Sequence, residues 1–343
     1  MLAAVDLGLI YALMAMGVYL TFRVLDFADL TVDGSLVTGA AVTAVGVVAG
    51  WPPALCTLLG FVCGCAAGAI TGLLNTVGKI NPLLAGILTQ IALYSINLRI
   101  MGKANLGLLR STTVLSGLRD AGLFATWASV GVFLTGVGVI AFGLIWFLTT
   151  NIGLGMQATG DNAAMARAQG VHTSGMVILG LAMSNGLVGL SGALLSQYQG
   201  FADISMGIGT IVVGLASVIV GQAIFGSRPV WRAVVAVIAG SIIYRVVIQL
   251  ALGLNIGLLA SDMKIISAVL VVAALLLPKL AIFQRFAHSR QERLLAQQVL
   301  ADDIAAAQAT STLTVDRTSP PSDPPGLTEG VDAHTPPVTG GRA

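Results

Sequence analysis

Two acidic residues with matching neighbours are the first candidates for chemistry in this chain. The segment FADLT at 27–31 reappears, 174 residues later, as FADIS at 201–205. A carboxylate beside a helix start can cap that helix, and one beside a break between two helices can line a path for a solute. Asp29 and Asp203 are open to both roles, which are compatible with each other.

The residues after the second copy extend this set of path candidates. The run MGIG at 206–209 has little side-chain bulk, which favours a broken backbone that lines a cavity. Gln222 is a polar group inside an apolar segment, where hydrogen bonding between helices is the competing interpretation. The loop acids Asp26 and Asp33 are interpreted as solvated. The candidate path residues are therefore Asp29, Asp203, Ser205, Gly207, Gly209 and Gln222.

Two arginines near the ends of apolar segments form a second group. Arg99 and Arg245 lie at ends that we predict to face outside. They either snorkel to the membrane surface or form a cationic outer mouth that meets a carboxylate. The three cysteines share one apolar segment without metal-ligand spacing, and the three histidines lie outside the predicted spans. We therefore predict neither a metal site nor a catalytic residue.

A short polar stretch between two apolar segments predicts a helix at 162–169. Asp161 or Asn162 is a suitable N-cap, residues 163–169 are strong helix formers, and Gly170 is a natural stop. This helix is either a simple capped loop element or a docking element for a partner protein. The candidate docking residues are Asp161, Asn162, Ala164, Met165, Arg167 and Gly170.

The framework that positions these residues is predicted to be an all-α polytopic membrane protein. Of its 343 residues, 56% are hydrophobic and only 9% are charged, whereas soluble domains carry roughly 25% charged residues. Glycines repeat every four residues at 64, 68 and 72, which favours close helix packing. A span needs about 20 apolar residues. This rule predicts nine spans, at 3–22, 34–51, 54–76, 82–102, 126–149, 174–199, 206–226, 230–252 and 264–282.

Basic residues set the predicted orientation. Lys279, Arg285, Arg290 and Arg293 follow or end the last span, so the C-terminus is predicted to be cytoplasmic. With nine spans, the N-terminus then lies outside, and the two motif copies face opposite sides. This arrangement predicts an inverted repeat of spans 1–4 and 6–9. The short second and seventh spans, which follow the two copies, are predicted to be discontinuous helices.

The composition of the chain changes after Ile282. Residues 1–282 make up the predicted transmembrane domain. Residues 283–309 have helical composition and predict a cytoplasmic amphipathic helix. Residues 310–343 are rich in Pro, Thr, Ser and Gly, and we predict that they are disordered.

The sequence contains no phosphate-binding loop. Such a loop requires the pattern GxxxxGK followed by Ser or Thr. In the nearest candidate, Gly72 and Gly78 are one residue too far apart, and Ile80 follows Lys79 where a hydroxyl is needed. We therefore expect no enzymatic activity and no cofactor on this chain. Any ATP and Mg²⁺ would be bound by a partner.

Four stretches of the sequence, at 25–42, 78–102, 159–171 and 196–226, carry a wider resemblance. They resemble the permease subunits of ATP-binding-cassette importers of the ribose and branched-chain amino acid type. Within that type, the chain is similar to a group that includes permeases for tryptophan or related amino acids. The resemblance covers residues 3 to about 282.

This resemblance implies a set of partners. They are cytoplasmic ATP-binding subunits, a second permease protomer in a homodimer or, alternatively, a heterodimer, an extracytoplasmic substrate-binding protein and the lipid membrane, with no nucleic acid. The helix at 162–169 would be the coupling helix that rests on an ATPase. The implied location is the bacterial cell membrane, crossed several times.

Two questions stay open at the level of sequence. Inverted repeats also occur in secondary transporters, so a stand-alone transporter or channel is the alternative function. The substrate is a small solute, and the outer arginines fit a carboxylate-bearing one such as an amino acid.

Overall fold

The computed structural model describes residues 1–109, 111–226 and 228–253, together with Val269 and Val272. Apolar sequence without strand-like alternation folds here into helices, in keeping with the predicted all-α class. A two-stranded ladder is the exception. The elements in chain order are α1 (Leu2–Tyr19) with a π-helical continuation (Leu20–Val24), α2 (Thr31–Val48), α3 (Pro53–Thr76), α4 (Pro82–Met101), β1 (Asn105–Gly107), α5 (Ser116–Asp120), α6 (Trp127–Thr149), α7 (Asn151–Asp161), α8 (Ala163–Ala168), α9 (Thr173–Gln199), β2 (Phe201–Asp203), α10 (Thr210–Phe225) and α11 (Val230–Gly253).

Seven of these helices are long and apolar enough to cross a membrane: α1 with its continuation, α2, α3, α4, α6, α9 and α11. The span predicted at 206–226 corresponds to the shorter α10, which has 16 residues. Its helix begins at Thr210, because residues 204–209 form turns. Apart from Val269 and Val272, the ninth predicted span lies outside the described residues, as do the predicted segments 283–309 and 310–343. The helical membrane-type fold is confirmed, whereas the number nine is not.

The core of the described residues is built from α1, α2 and α9. Most residues of these three helices are buried, whereas fewer than half of the residues are buried in the spans of α3, α4, α6 and α11. Helix α9 packs against α1, α2 and α3, and α11 packs against α1 and α10. An apolar helix face that is exposed in a single chain belongs against lipid or a partner subunit.

Glycines set the distance between α3 and α9. A Cβ on Gly68 would overlap the Leu181 carbonyl oxygen, and one on Gly64 would overlap the Asn185 carbonyl oxygen. The two backbones are therefore in direct contact, as small-residue stripes allow between membrane helices. The close packing predicted from the glycine spacing is confirmed.

The strand pair was not predicted from the sequence. Strand β1 pairs antiparallel with β2, with Asn105 opposite Asp203 and Gly107 opposite Phe201. The second motif copy is therefore part of a ladder that joins the α4–α5 connection to the α9–α10 connection. The first copy, at 27–31, instead leads from the π-helical turn directly into α2.

Candidate translocation site

The first motif copy is held in a buried hydrogen-bond network. Asp29 is 2% exposed. Its Oδ1 accepts the Thr31 backbone N–H at 2.9 Å, and its Oδ2 accepts the Asn185 Nδ2 at 2.6 Å. Asn185 also donates to the Leu181 carbonyl and accepts from Ser35 Oγ at 2.7 Å, so both of its N–H groups and its oxygen are hydrogen-bonded. Asp29 therefore caps the start of α2 and fixes it to α9.

The second copy makes the same local bond in a more open setting. Asp203 Oδ1 accepts the Ser205 backbone N–H at 2.8 Å and also the Ser205 hydroxyl, and Oδ2 accepts Asn105 Nδ2 at 3.0 Å. Partial burial by itself would raise the pKa of the Asp203 carboxyl. The hydrogen bonds from Ser205 and Asn105 outweigh burial, so the net effect is a lowered pKa. Asp203 is accordingly an ionised, partly exposed carboxylate.

A third acid, Asp33, connects the two regions. Its carboxylate accepts the backbone N–H groups of Gly209 and Ile211 at 2.9 and 2.8 Å, and the Thr210 hydroxyl at 3.0 Å. Asp33 therefore caps the start of α10 from the first turn of α2, where a negative charge also complements the helix dipole. The interpretation of Asp33 as a solvated loop acid was wrong, because the side chain is 9% exposed and its oxygens are bonded. Asp26 is exposed, as expected.

The backbones of these two helix starts touch at Gly207. A Cβ at this position would overlap the Asp33 carbonyl oxygen and crowd the Val37 side chain, so only glycine fits. Residues 33 and 207 are also 174 positions apart, the same offset as the motif copies. This offset is the signal in the sequence that could have drawn attention to Asp33.

A cavity of about 420 Å³ lies beside this junction. Its walls come from the first half of α2, one side of α4 and the turns before α10. Of the six predicted path residues, only Gly207 lines this cavity as the structure describes it. Gly209 donates its N–H to Asp33 nearby. The lining residues are Asp33, Gly34, Val37, Gln90, Ile91, Tyr94, Ser95, Asn97, Ile204, Gly207 and Ile208.

Asn97 is the polar group of this cavity whose bonding is incomplete. Its side chain is fully buried, and Nδ2 donates to the Gly34 carbonyl at 3.3 Å. Its Oδ1 has no hydrogen-bond partner among the described residues. Buried polar atoms are nearly always paired. Asn97 therefore brings an unpaired buried acceptor to the wall of the cavity.

Gln222 lies at a different place. It lines a second cavity, of about 690 Å³, at the ends of α1 and α10 and the start of α11. There its Oε1 accepts Nε of Arg23 at 3.0 Å. The structure does not bring Gln222 together with Gly207, and the same holds for Asp29, which is buried in its own network.

The predicted short helix is present as α8. Its N-cap is Asn162, whose Oδ1 accepts the Met165 backbone N–H at 3.0 Å, while Asp161 ends the preceding helix. Gly170 has a left-handed φ of 85° and closes the turn. The preceding residues, 155–161, belong to α7. Of the six residues in α8, only Ala166 is buried, so the helix offers an exposed face.

Two further candidate docking residues have defined surroundings. Met165 is 64% exposed in the first turn of α8. The Arg167 guanidinium donates to Thr173 Oγ1 at 3.1 Å, which fixes α8 to the first residue of α9.

The two outer-mouth candidates lie on separate helices. Arg99 is exposed in the last turn of α4. Arg245 is half-buried on α11, and its guanidinium carbon lies 3.6 Å from the centre of the Tyr11 ring, a cation–π contact. No group of three metal-ligating side chains was found within the described part of the chain.

Comparison with known proteins identifies the class to which this architecture belongs. Residues 1–277 match the family described as branched-chain amino acid transport system, permease component. The chain belongs to this family. Its members are the permease subunits of ATP-binding-cassette importers, so the chain is a multi-pass membrane protein and the ATPase is on a separate subunit.

Individual relatives agree with this assignment. A protein named tyrosine transport system permease protein, from Clostridioides difficile (strain R20291), is 41% identical over 78% of this chain and 88% of its own length. An uncharacterized protein of Rickettsia prowazekii (strain Madrid E) is 34% identical over 80% of this chain and 96% of its own. The autoinducer 2 import system permease protein LsrC of Salmonella typhimurium is 27% identical over 56% of this chain and 55% of its own. No solved structure matches the chain.

Proposed function

We propose that this permease carries an amino acid, of the aromatic or polar kind, through the cavity at the starts of α2 and α10. The observation that carries the proposal is the cavity itself, which combines apolar walls with the unpaired Asn97 oxygen. Tyr94 and Ile91 provide apolar contact, and Gln90 and Ser95 provide polar groups. Small-molecule sites commonly have this composition. The tyrosine permease named above is a relative that fits such a solute.

We also propose that the fold is an inverted repeat with an offset of 174. Two hydrogen bonds between α1 and α9 support it. Ser184 Oγ donates to the Gly17 carbonyl at 2.7 Å, and Ser191 Oγ donates to the Ile10 carbonyl at 2.8 Å. Subtracting 174 from 184 and 191 gives 10 and 17, so each bond joins the positions that correspond to the other. A twofold axis between the two helices would produce this pattern.

Helix packing gives the repeat independent support. If α1 corresponds to α9, α2 to α10 and α3 to α11, each contact should have a counterpart. Helix α1 packs against α11 as α9 packs against α3, and α2 packs against α3 as α10 packs against α11. The contact of Asp33 with Gly207 joins two corresponding positions directly, as a residue pair on the axis would.

The proposed mechanism is alternating access driven by ATPase subunits that dock on α8. The N-terminus lies outside, the C-terminus is cytoplasmic, and two copies of the chain pair in the inner membrane. ATP and Mg²⁺ are bound by the ATPases. Substrate arrives from an extracytoplasmic binding protein, whose acidic groups would meet Arg99 or Arg245. The exposed face of α8 and the hydrogen bond from Arg167 to Thr173 of α9 support this role.

The proposed substrate site is tested by replacing Asn97. In proteoliposomes with the matching ATPase and a binding protein loaded with tyrosine, Asn97→Leu removes the acceptor and should lower uptake about tenfold or more. A hydrogen bond to a buried polar group contributes about 1.5 kcal/mol. Asn151→Leu, at an exposed position outside the cavity, is the matched control and should leave uptake unchanged.

Other outcomes of that experiment would contradict specific parts of the proposal. Equal uptake by both variants would remove the cavity from the path. Uptake that proceeds without the ATPase, and responds instead to an ion gradient, would favour the stand-alone transporter.

The coupling role of α8 is tested by Ala164→Asp and Gly170→Val. Ala164→Asp would place a charge in the proposed contact between α8 and the ATPase, and Gly170→Val would place a β-branched residue at a left-handed φ. Both variants should uncouple ATP hydrolysis from uptake without preventing membrane insertion. The measurement compares ATPase rate and uptake in the same vesicles.

Met165→Cys in a chain without its native cysteines should react with an impermeant maleimide in inside-out vesicles alone. Labelling in intact cells would reverse the proposed orientation.

A further inference from the structure

The second cavity has a concentration of arginines to which the proposed function assigns no role. It lies at the ends of α1 and α10 and at the start of α11, and its volume is about 690 Å³. Arginines contributed by two different elements line it: Arg23 from the π-helical turn, and Arg228 and Arg232 around the first residue of α11. The acid that faces them is Asp161, at the end of α7. The described lining therefore carries three positive charges and one negative charge.

Part of this cationic lining is held in place. Gln222 accepts Nε of Arg23, which directs the guanidinium while leaving its remaining N–H groups for another acceptor. Gln157, a second amide in the lining, donates to the Leu148 carbonyl at 2.8 Å. Helix α11 begins at Val230 in the same wall, and the N-terminus of a helix attracts anions.

The surroundings of the cavity are apolar and exposed. Phe22 precedes Arg23, Phe225 ends α10, and Trp231 lies between two lining residues of α11. Their side chains are 41%, 50% and 54% exposed, respectively. Aromatic side chains next to basic ones are typical of the level at which a membrane helix meets the headgroups. Basic pockets between spanning helices at this level accommodate lipid phosphates.

We propose that this arginine pocket binds a phosphate group, presented by an anionic phospholipid or by a free phosphate. Arginine forks pair with phosphate oxygens bidentately, which a lysine or an amide does less well. The aromatic rim favours the lipid, whose acyl chains would lie over Phe22, Phe225 and Trp231. The bound phosphate would bridge the end of α1 to the start of α11. Its negative charge would repel the Asp161 carboxylate at the end of α7. The site is separate from the solute cavity.

The test uses the purified full-length chain in detergent and native mass spectrometry. Phosphatidylglycerol, phosphatidylcholine and inorganic phosphate are added in separate titrations to the wild type and to R228Q/R232Q. Each cation near an anionic surface contributes about fivefold to affinity, so the double variant should bind phosphatidylglycerol about 25-fold more weakly. The matched control is K79Q/K103Q, which removes two exposed charges outside the pocket and should bind like the wild type.

A charge-conserving variant separates a binding defect from misfolding. R228K/R232K keeps the charges but loses the forks, so its affinity should be intermediate between those of the wild type and R228Q/R232Q. Equal thermal unfolding of all variants without lipid verifies that the fold is intact.

Each outcome decides the proposal. Selective phosphatidylglycerol binding that R228Q/R232Q weakens supports the pocket with a lipid as the source. Phosphate binding with the same variant dependence supports it with a free anion as the source. If phosphatidylglycerol binds R228Q/R232Q and the wild type alike, or if the chain retains neither anion, the proposal is overturned. None of these results depends on uptake, so the test is independent of the transport function.

Discussion

The two motif copies make the same turn in very different surroundings. Asp29 and Asp203 each accept the backbone N–H of the residue two positions later, at 2.9 and 2.8 Å. Phe27 is 5% exposed and the equivalent Phe201 is 40% exposed. The first copy is buried against α9, and the second lies in a strand ladder with Asn105. Local sequence therefore dictates the turn, whereas the surroundings determine what the carboxylate contributes.

The contact of Gly207 with the Asp33 backbone joins the segments that follow the two copies, and it should be the point at which a substitution costs most stability. Gly207→Ala places a methyl group against the Asp33 backbone, which cannot rotate away as a side chain could. We expect a loss of about 4 kcal/mol in the free energy of unfolding, above the usual range for overpacking. Gly136→Ala in α6, where the added Cβ meets nothing within 4 Å, should be neutral or slightly stabilising. Thermal unfolding in detergent measures both, and similar unfolding temperatures would contradict the close approach.

A direct comparison of the two acids should give the next largest difference. Asp29→Ala leaves one N–H of the Asn185 amide unpaired in a buried site and removes the cap of α2, so it should cost about 3 kcal/mol. Asp203→Ala removes the partly exposed hydrogen bonds to Ser205 and Asn105 and should cost about 1 kcal/mol. Chemical or thermal unfolding of both variants tests the ranking. Equal losses would mean that burial does not distinguish the copies.

The smallest expected effect is a pH dependence confined to the second copy. Because the pKa of Asp203 in the folded chain is below its ordinary value of 3.8, its stabilising contribution is complete above that value. The contribution is lost as the pH falls through the lower, folded-state pKa. Asp203→Asn should therefore flatten part of the stability decline between about pH 5 and pH 3. The measurement is the unfolding temperature at each pH, and an unchanged profile would contradict the prediction.

Features that depend on nearby residues could be predicted from the sequence. The repeat motif pointed to both acids, the glycine spacing indicated close packing of α3, and the cap and stop residues located α8. Asn162 and Gly170 act within one or two turns, so their effect is visible in a short window. The match of residues 1–277 to a permease family also confirmed the resemblance found in four stretches.

Features that depend on distant residues could not be predicted. Asp33 caps a helix that begins 177 residues later, and no local pattern distinguishes it from a solvated acid. The pairing of Asn105 with Asp203 and the meeting of Gln222 with Arg23 are likewise long-range. The solute cavity combines α2, α4 and the turns before α10, so its lining could be recognised only in three dimensions.

The direct backbone contact between α3 and α9 limits how this protein can change shape. Side chains can change rotamers and so accommodate sliding between helices. The backbone carbonyl oxygens of α9 that lie against the glycines of α3 have no such freedom. We therefore expect α3 and α9 to move together as one rigid body in any conformational change. Helix α6 is not constrained in this way, because a Cβ on any of its glycines would meet nothing within 4 Å.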